Sequence, residues 1–340
     1  MEEGFASWAN PSSPHRAGRA ARAALEEARG RIAQALDWDG EIVFTSGASE
    51  AASIGFSIRR PRKLVSAVEH DAVRQAAEAD AGILPVRRDG ALDEEALAKA
   101  LAPGPALVAV QHVNSETGNR QDISRIVDIV RGAGGLLLVD CAQSVGKFSL
   151  PPCDMAIVSA HKFGGPVGIG ALLVRDLGLL PPSGGQERGY RRGTENLPAA
   201  LGMAAALEAC ARPYLDPEVL EPLETLAKLC RAAGGVWVRD LLRDPTPTIL
   251  PIAMPGLAGT AQVARLDLAG VAVSQGSACS SGAMKPSAVL EAMGLDPDIA
   301  RRTIRVSFGW STTPEEVEWF AHNWLEMAEA VGAARAGADA

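Results

Sequence analysis

Residues 135–140 read Gly-Leu-Leu-Leu-Val-Asp, and residues 155–165 read Met-Ala-Ile-Val-Ser-Ala-His-Lys-Phe-Gly-Gly. Each begins as an apolar run too short for a helix and stops abruptly on polar residues, the mark of a strand buried on both faces. Working outward, the same alternation of short apolar runs and helical patterns fills the first two-thirds of the chain. Glu41 to Phe44, Lys63 to Ala67, Ile83 to Val86 and Ala106 to Val110 read as strands. Ala48 to Ile58, Asp71 to Asp80, Asp93 to Leu101 and Ser124 to Ala133 read as helices, after a first helix over Arg19 to Leu36 that Asn10-Pro-Ser-Ser supplies with cap chemistry. Such alternation predicts an α/β fold: a mostly parallel, mixed sheet flanked by helices. A helix over Asn196 to Ala211 leads into Arg212-Pro213, where the pattern changes. Residues 1–212 are therefore expected to form a large domain and residues 213–340 a smaller α+β domain, with helices over Pro217 to Ala233, Ser287 to Met293 and Pro314 to Ala330.

Composition narrows the function classes. The chain has 340 residues, 47% of them hydrophobic, enough for a large core and against a disordered chain. The net charge of −8 argues against duplex nucleic acid and anionic membranes, both of which select Lys and Arg. The uncharged stretch Pro245 to Ala264 holds four prolines and three threonines, a poor spanning helix. The amino terminus lacks the layout of a signal peptide. Five cysteines at unrelated spacings, with no Cys-x-x-Cys pair, indicate neither a disulfide framework nor a zinc site and fit a reducing cytoplasm.

The strand ends carry the chemistry. Asp140 closes one strand at the edge where open α/β sheets bind ligands, although a helix cap or loop ion pair is the bland alternative. Lys162 lies between a strand and a glycine-rich loop; the ordinary reading is a solvated cation, the other an amine made nucleophilic by desolvation and neighbouring cations. A strand-end Asp upstream of a strand-end Lys is the layout that pyridoxal phosphate needs: the lysine bonds the aldehyde and the aspartate keeps the ring nitrogen protonated. Thr45-Ser-Gly-Ala-Ser-Glu50, between strand and helix, offers backbone amides to a phosphate, with Ser159 and His161 near the lysine as further donors. His70, after another strand, suits either a ring contact or a helix cap. Arg305 in Ile304-Arg-Val-Ser-Phe308 needs a carboxylate, supplied by a substrate or by an internal salt bridge. Of the five cysteines, Cys279 alone sits in a small, polar, glycine-rich run, Ser274 to Gly282, where either a nucleophile or an unremarkable loop thiol fits.

Taken in order, Asn10-Pro-Ser-Ser, Thr45 to Glu50, Glu69-His70, Asn114 to Gly118, Asp140-Cys-Ala-Gln143, Ser159-Ala-His-Lys162, Gly184 to Glu187, Arg192-Gly-Thr-Glu-Asn196, Gly276 to Ser281 and Arg305 to Phe308 resemble the cysteine desulfurases of the class V aminotransferase family. The resemblance runs from about Phe5 to Glu318. It implies a fold type I pyridoxal phosphate enzyme that converts L-cysteine to alanine and passes sulfur on as a persulfide, for iron–sulfur cluster assembly or tRNA thiolation. It implies that Lys162 holds the cofactor as a Schiff base and moves the α-proton, that His70 stacks on the ring, and that Asp140 pairs with the pyridinium. Gln143 would reach the ring hydroxyl, and Ala48, Ser49, Ser159 and His161 the phosphate. Thr194 would reach the phosphate from the other subunit of a homodimer, Arg305 would grip the substrate carboxylate, and Cys279 would attack the substrate sulfur. An iron–sulfur scaffold or another sulfur-acceptor protein is the implied partner. Three departures stand out. Only nine residues precede Asn10, where the family opens with Leu-Asp-x-x-Ala-Thr-Thr-Pro, which leaves open a shortened sequence, a misplaced start or a weakened enzyme. Ser115 replaces the second of a paired asparagine that helps position cofactor and substrate, and Ser49 replaces a phosphate-loop threonine. A selenocysteine lyase or other lyase on the same scaffold, and a weak sulfur-relay subunit, remain as alternatives.

Overall fold

The four strands most central to the first unit are apolar at nearly every position because helices cover both of their faces, which leaves no solvent side for an alternating pattern. The computed structural model describes residues 1–59, 62–210, 214–276 and 287–338, with side chains to 334. Seven strands form the larger sheet: β1 (Glu41–Thr45), β2 (Lys63–Ser66), β3 (Gly82–Leu84), β4 (Leu107–Gln111), β5 (Leu136–Asp140), β6 (Met155–Ser159) and β7 (Gly170–Val174). Their order is β1-β7-β6-β5-β4-β2-β3. The strands from β6 to β3 run parallel, and β7 lies antiparallel between β6 and β1. The sheet is thus the expected mixed, mostly parallel one.

The antiparallel strand arises from a short return. A 3-10 turn, Ala160–Phe163, ends on Gly164 at φ 86°, a left-handed conformation that costs glycine nothing, and the chain then folds back along β6. A Cβ on Gly170 would stand 2.8 Å from the Gly47 Cα, so its missing side chain lets the turn after β1 lie against the start of β7. Helix Ala48–Phe56 covers this region, burying Ala51, Ala52 and Phe56 against Val43, Leu138, Ile157 and Leu172. Truncating one of these leucines to alanine costs about 2–5 kcal/mol.

The first long helix runs Arg16–Ala35, and its cap differs from expectation. His15 Nδ1 accepts from the Gly18 amide at 3.1 Å, whereas Asn10 closes its own turn by accepting from Ser12 N at 2.9 Å. This helix packs on Leu197–Ala209, and Arg31 reaches Glu208 by two bonds of 2.7 and 2.6 Å.

Among the described residues the chain divides into two units. The first gathers Met1–Leu84, Glu94–Val113 and the segment from Asp122, and the second gathers Pro85–Asp93, Asn114–Gln121 and the segment from Tyr214. A linear division into 1–212 and 213–340 contains no such excursions. They join the second unit through backbone pairing: Arg120 N donates to Asp244 O at 2.9 Å, Thr246 N to Gly118 O at 2.9 Å, and Arg243 N to Asp89 O at 3.0 Å. Gly118, at φ 73°, approaches Ile249 so closely that a Cβ would lie 2.9 Å from that side chain. The second unit is built on an antiparallel sheet of β8 (Val236–Trp237), β9 (Ile249–Ala253) and β10 (Thr303–Ser307), in the order β10-β9-β8. Trp324, fully buried, anchors helix Pro314–Ala338 in that core. The continuous helix expected over Pro217 to Ala233 is instead a 3-10 turn, Pro217–Leu220, followed by helix Pro222–Ala232. Pro222 has no amide hydrogen to continue a helix and starts a new one.

Candidate active site

Parallel strands end on one edge of a sheet, so the residues that follow β2, β4, β5 and β6 gather there without any further device. These are Glu69 and His70, Gln111 and His112, Asp140 and Gln143, and Ser159, His161 and Lys162. Gln111 stands opposite Asp140 in the ladder, and Asp140 opposite Ile157.

Asp140 Oδ1 accepts from Ala142 N at 2.9 Å, which fixes the carboxyl as the chain leaves β5. Burial raises its pKa; the Ala142 amide, His70 and Lys162 pull it back. His70 and Lys162 thus lie within electrostatic reach of this carboxylate. His70 caps helix Asp71–Ala76, its Nδ1 accepting from Ala72 N at 3.1 Å, so the neutral ring carries its proton on Nε2. Both readings of this histidine therefore hold at once: the cap orients the ring beside Asp140.

Lys162 lies in the 3-10 turn between β6 and β7, with Ala160 and Phe163 buried beside it. The lysine itself is exposed, and so is His161, contrary to the expectation of a desolvated amine. In this single 3-10 turn Ala160 and Phe163, three residues apart, share the buried face, and His161 and Lys162 between them face outward. Buried Ser159 lies 3.0 Å from the His161 ring through Oγ and Nδ1, and burial followed by the Lys162 charge lowers the His161 pKa. A second amine accompanies the first. Lys147 Nζ donates to Gln143 O at 3.1 Å, and burial with the Lys162 charge holds its pKa down to about 8.

Helix Ala48–Phe56 starts at Gly47 with no side-chain cap, so amides of its first turn, at Ala48 and Ser49, face an open N-terminus suited to an anion. Glu50 accepts from Ser46 N at 2.5 Å and from Arg191 Nε at 2.9 Å, which ties this turn to the segment carrying Thr194. Thr194 is exposed. Its segment is anchored at Glu187, a buried carboxylate that accepts from Arg29 Nη1 at 2.9 Å, Arg29 Nη2 at 3.2 Å and Phe44 N at 2.8 Å. Glu187 and Arg188 hold positive φ angles of 47° and 56°, a strain of about 1 kcal/mol or more each that this anchor sustains.

In the second unit Arg305 sits on β10 with Nη1 donating to Ser115 O at 2.9 Å and a buried Nε that has no hydrogen-bond partner among the described residues. No described carboxylate pairs with it; burial lowers its pKa against the opposing pull of Glu116. The internal salt bridge weighed from sequence is absent among the described residues, and a half-buried guanidinium with an unused donor is suited to an incoming carboxylate. Ser115 acts here through its carbonyl, which any residue could supply. Ser274 pairs with Arg305 by two backbone bonds of 3.1 and 2.6 Å, and Ser287 Oγ donates to Glu116 at 2.6 Å. Ser274 thus lies next to Arg305, and Ser287 next to Glu116. Cys279 itself lies outside the described residues. Burial pushes the other four thiols up, Cys153 to about 12 and Cys230 to about 11, with Cys141 well raised and Cys210 raised, so none of them is an activated nucleophile.

These residues fit pyridoxal phosphate. Asp140 is available to a ring nitrogen, Lys162 to an aldehyde, and the uncapped helix start with Ser159 and His161 to a phosphate. Sequence reasoning did not single out Gln111, Lys147, Glu50 with Arg191, or Glu187 with Arg29. Only Glu187 and Glu50 carried a signal there, as members of quoted motifs.

The sequence matches the family described as aminotransferase class-V over residues 2–320. The chain is 34% identical over 332 residues to "Cysteine desulfurase IscS 1" of Archaeoglobus fulgidus, covering 91% of this chain and 87% of that one. It is 36% identical over 332 residues to "Cysteine desulfurase" of Cereibacter sphaeroides, covering 91% and 86%. Among solved structures, a NifS-like protein from Rickettsia africae superposes with a TM-score of 0.86 at 26% identity, over 96% of this chain and 94% of that one. A structure of SspA in complex with cysteine gives 0.76 at 29% identity, over 89% and 92%. With its fold, its strand-edge lysine and aspartate, and matches along nearly its whole length, the chain belongs to the class V aminotransferase family.

Proposed function

We propose that the chain is an L-cysteine desulfurase, with Lys162 and Cys279 as its reactive side chains. One observation carries the reading: at the sheet edge both His70 and Lys162 lie within electrostatic reach of Asp140. When bound, pyridoxal phosphate supplies an electron sink for the α-carbon of an amino acid. Asp140 would hold the ring nitrogen in its protonated form, His70 would contact the ring, and Gln143 would reach its hydroxyl. Amides at Ala48 and Ser49, with Ser159 and His161, hold the phosphate. Arg305 binds the substrate carboxylate through its unused donor, supported by the Ser115 carbonyl. Lys162 moves the α-proton.

The Cys279 thiolate attacks the substrate sulfur. A sulfur–sulfur bond forms, the Cβ–S bond breaks with its electron pair left on Cβ, and Cβ takes a proton to give alanine. The sulfur remains on Cys279 as a persulfide for an acceptor protein of iron–sulfur assembly or tRNA thiolation. The raised thiols of the four described cysteines support Cys279 by elimination. The exposed Thr194 supports a homodimer in which it reaches the partner's phosphate site. Free cysteines among the described residues support a reducing, cytoplasmic setting. No described helix is long and apolar enough to cross a membrane.

The test is purified protein with pyridoxal phosphate and L-cysteine under reducing conditions, with alanine and sulfide followed together. Alanine formation that disappears in Lys162→Ala, and sulfide formation that disappears in Cys279→Ala, is the expected result. No alanine from the cofactor-supplied protein refutes the proposal. Turnover of L-selenocysteine retained in full by Cys279→Ala, without turnover of L-cysteine, would identify a lyase instead.

A further inference from the structure

Helix Ala48–Phe56 offers its start to a phosphate, yet carries a carboxylate, Glu50, in that same first turn. One negative charge is welcome at a helix N-terminus, but a second anion arriving there is repelled by the first unless the first is neutralised. The contacts of Glu50 divide into two duties. Its Oε2 accepts from Ser46 N at 2.5 Å, and the Thr45 hydroxyl accepts from Gly47 N at 3.4 Å, so the two amides before the helix are occupied. The amides of Ala48 and Ser49 have no carbonyl one turn back to bond to and are left for a ligand. Arg191 meets the same carboxylate at two points, Nε donating to Oε1 at 2.9 Å and Nη2 to Oε2 at 3.3 Å. Its remaining nitrogen, Nη1, donates to Gly193 O at 3.4 Å, one residue before Thr194. Both side chains are half-buried, so solvent ions screen this pair less than a surface pair.

We propose that Arg191 is a positioning residue for the cofactor phosphate: it cancels the charge of Glu50, so that this carboxylate shapes the turn before the helix without repelling the anion the turn receives. Burial raises the Glu50 pKa, but the bond from Arg191 and then those from Ser46 outweigh it and hold the carboxyl below its ordinary value. Glu50 is therefore an anion at neutral pH, and its charge must be met by a cation if a phosphate is to settle beside it. The two duties are separable. A glutamine at position 50 would still accept from Ser46 N but would carry no charge. This role rests on the proposed use of the Ala48 and Ser49 amides as phosphate donors.

The experiment measures dissociation constants of the full chain, freed of cofactor, for pyridoxal phosphate, pyridoxal and inorganic phosphate. Wild type, Arg191→Met, Glu50→Gln and the double variant are compared. Arg191→Met should bind pyridoxal phosphate and inorganic phosphate about tenfold or more weakly, and pyridoxal, which has no phosphate, within about threefold of wild type. Adding Glu50→Gln removes the uncancelled charge, so the double variant should return to within about threefold of wild type for all three ligands. Such recovery is what charge cancellation requires, and a merely structural ion pair would not give it. Unchanged phosphate affinity in Arg191→Met, equal weakening of pyridoxal, or a double variant as weak as Arg191→Met overturns the proposal. Wild-type protein that binds neither pyridoxal phosphate nor inorganic phosphate overturns it too. Should Arg191→Met fail to fold, Glu50→Gln decides: it leaves the Arg191 charge unspent and should bind phosphate at least as tightly as wild type, and weaker binding overturns the proposal. The desulfurase reading is judged by alanine formation, which none of these constants measures, so the two readings fail separately.

Discussion

Replacing Lys147 with methionine should stabilise the cofactor-free protein at pH 7, although it removes a hydrogen bond. Burial, and then the Lys162 charge, hold this amine down to about 8, against an ordinary value of 10.5. Such a difference corresponds to about 3 kcal/mol that the folded state bears while Lys147 is charged. Losing the bond to the Gln143 carbonyl removes about 1 kcal/mol of this, which leaves a gain of about 2 kcal/mol. The pH dependence follows from the direction of the shift. Below pH 8 both folded and unfolded chains carry the proton, and the cost is complete. Between 8 and 10.5 the folded chain has released it and the unfolded chain has not, so unfolding takes up a proton and wild-type stability rises with pH. The methionine variant lacks this rise. Urea unfolding of both proteins at pH 7 and at pH 10 should therefore show the variant ahead by about 2 kcal/mol at the lower pH and level or behind at the higher. The raised thiols of Cys141 and Cys153 act in both proteins and cancel in the comparison. Equal stability differences at the two pH values would refute the reasoning.

Three further outcomes follow from the same geometry. Arg305→Ala should lower kcat/KM for L-cysteine by about 10-fold to 150-fold through KM, the effect of one charge-assisted contact, and steady-state kinetics with alanine detection checks it. Asp140→Asn keeps an oxygen for the Ala142 amide but has no charge for a ring nitrogen, so the protein should fold, take up cofactor and lose about 10²-fold or more in turnover; circular dichroism with stopped-flow absorbance separates these effects. Glu187→Ala leaves the buried Arg29 guanidinium without its main carboxylate and the Phe44 amide without its acceptor, and chemical denaturation should show a loss of about 3–5 kcal/mol.

What the sequence disclosed and what it withheld divide along a physical line. The strands β4, β5 and β6 were legible because burial on both faces demands an unbroken apolar run, and Asp140 and Lys162 were legible because they interrupt such runs. The reversal into β7 was not, since Gly170–Val174 has the same composition whichever direction it runs. The assignment of residues 114–121 to the second unit depends on Gly118 approaching Ile249 and on backbone bonds to residues 244–246, contacts between segments more than a hundred positions apart. Local pattern carries no information about such pairs.

The exposure of Lys162 and the burial of Glu69 belong together in the same account. A strand-end residue was expected to be desolvated because of its neighbours in sequence, yet the 3-10 turn sends Lys162 outward and the bend after β2 sends Glu69 inward. Direction at a strand end is set by one or two backbone angles, and a one-residue change of phase reverses it. The chemistry then follows from depth. Burial drives the buried Glu69 carboxyl well toward its neutral form, whereas at Asp140 an amide, an imidazole and an ammonium hold back the same upward push. Lys147, deeper than Lys162, is the amine that burial weakens most clearly. Three groups of ordinary type thus acquire different protonation tendencies from position alone.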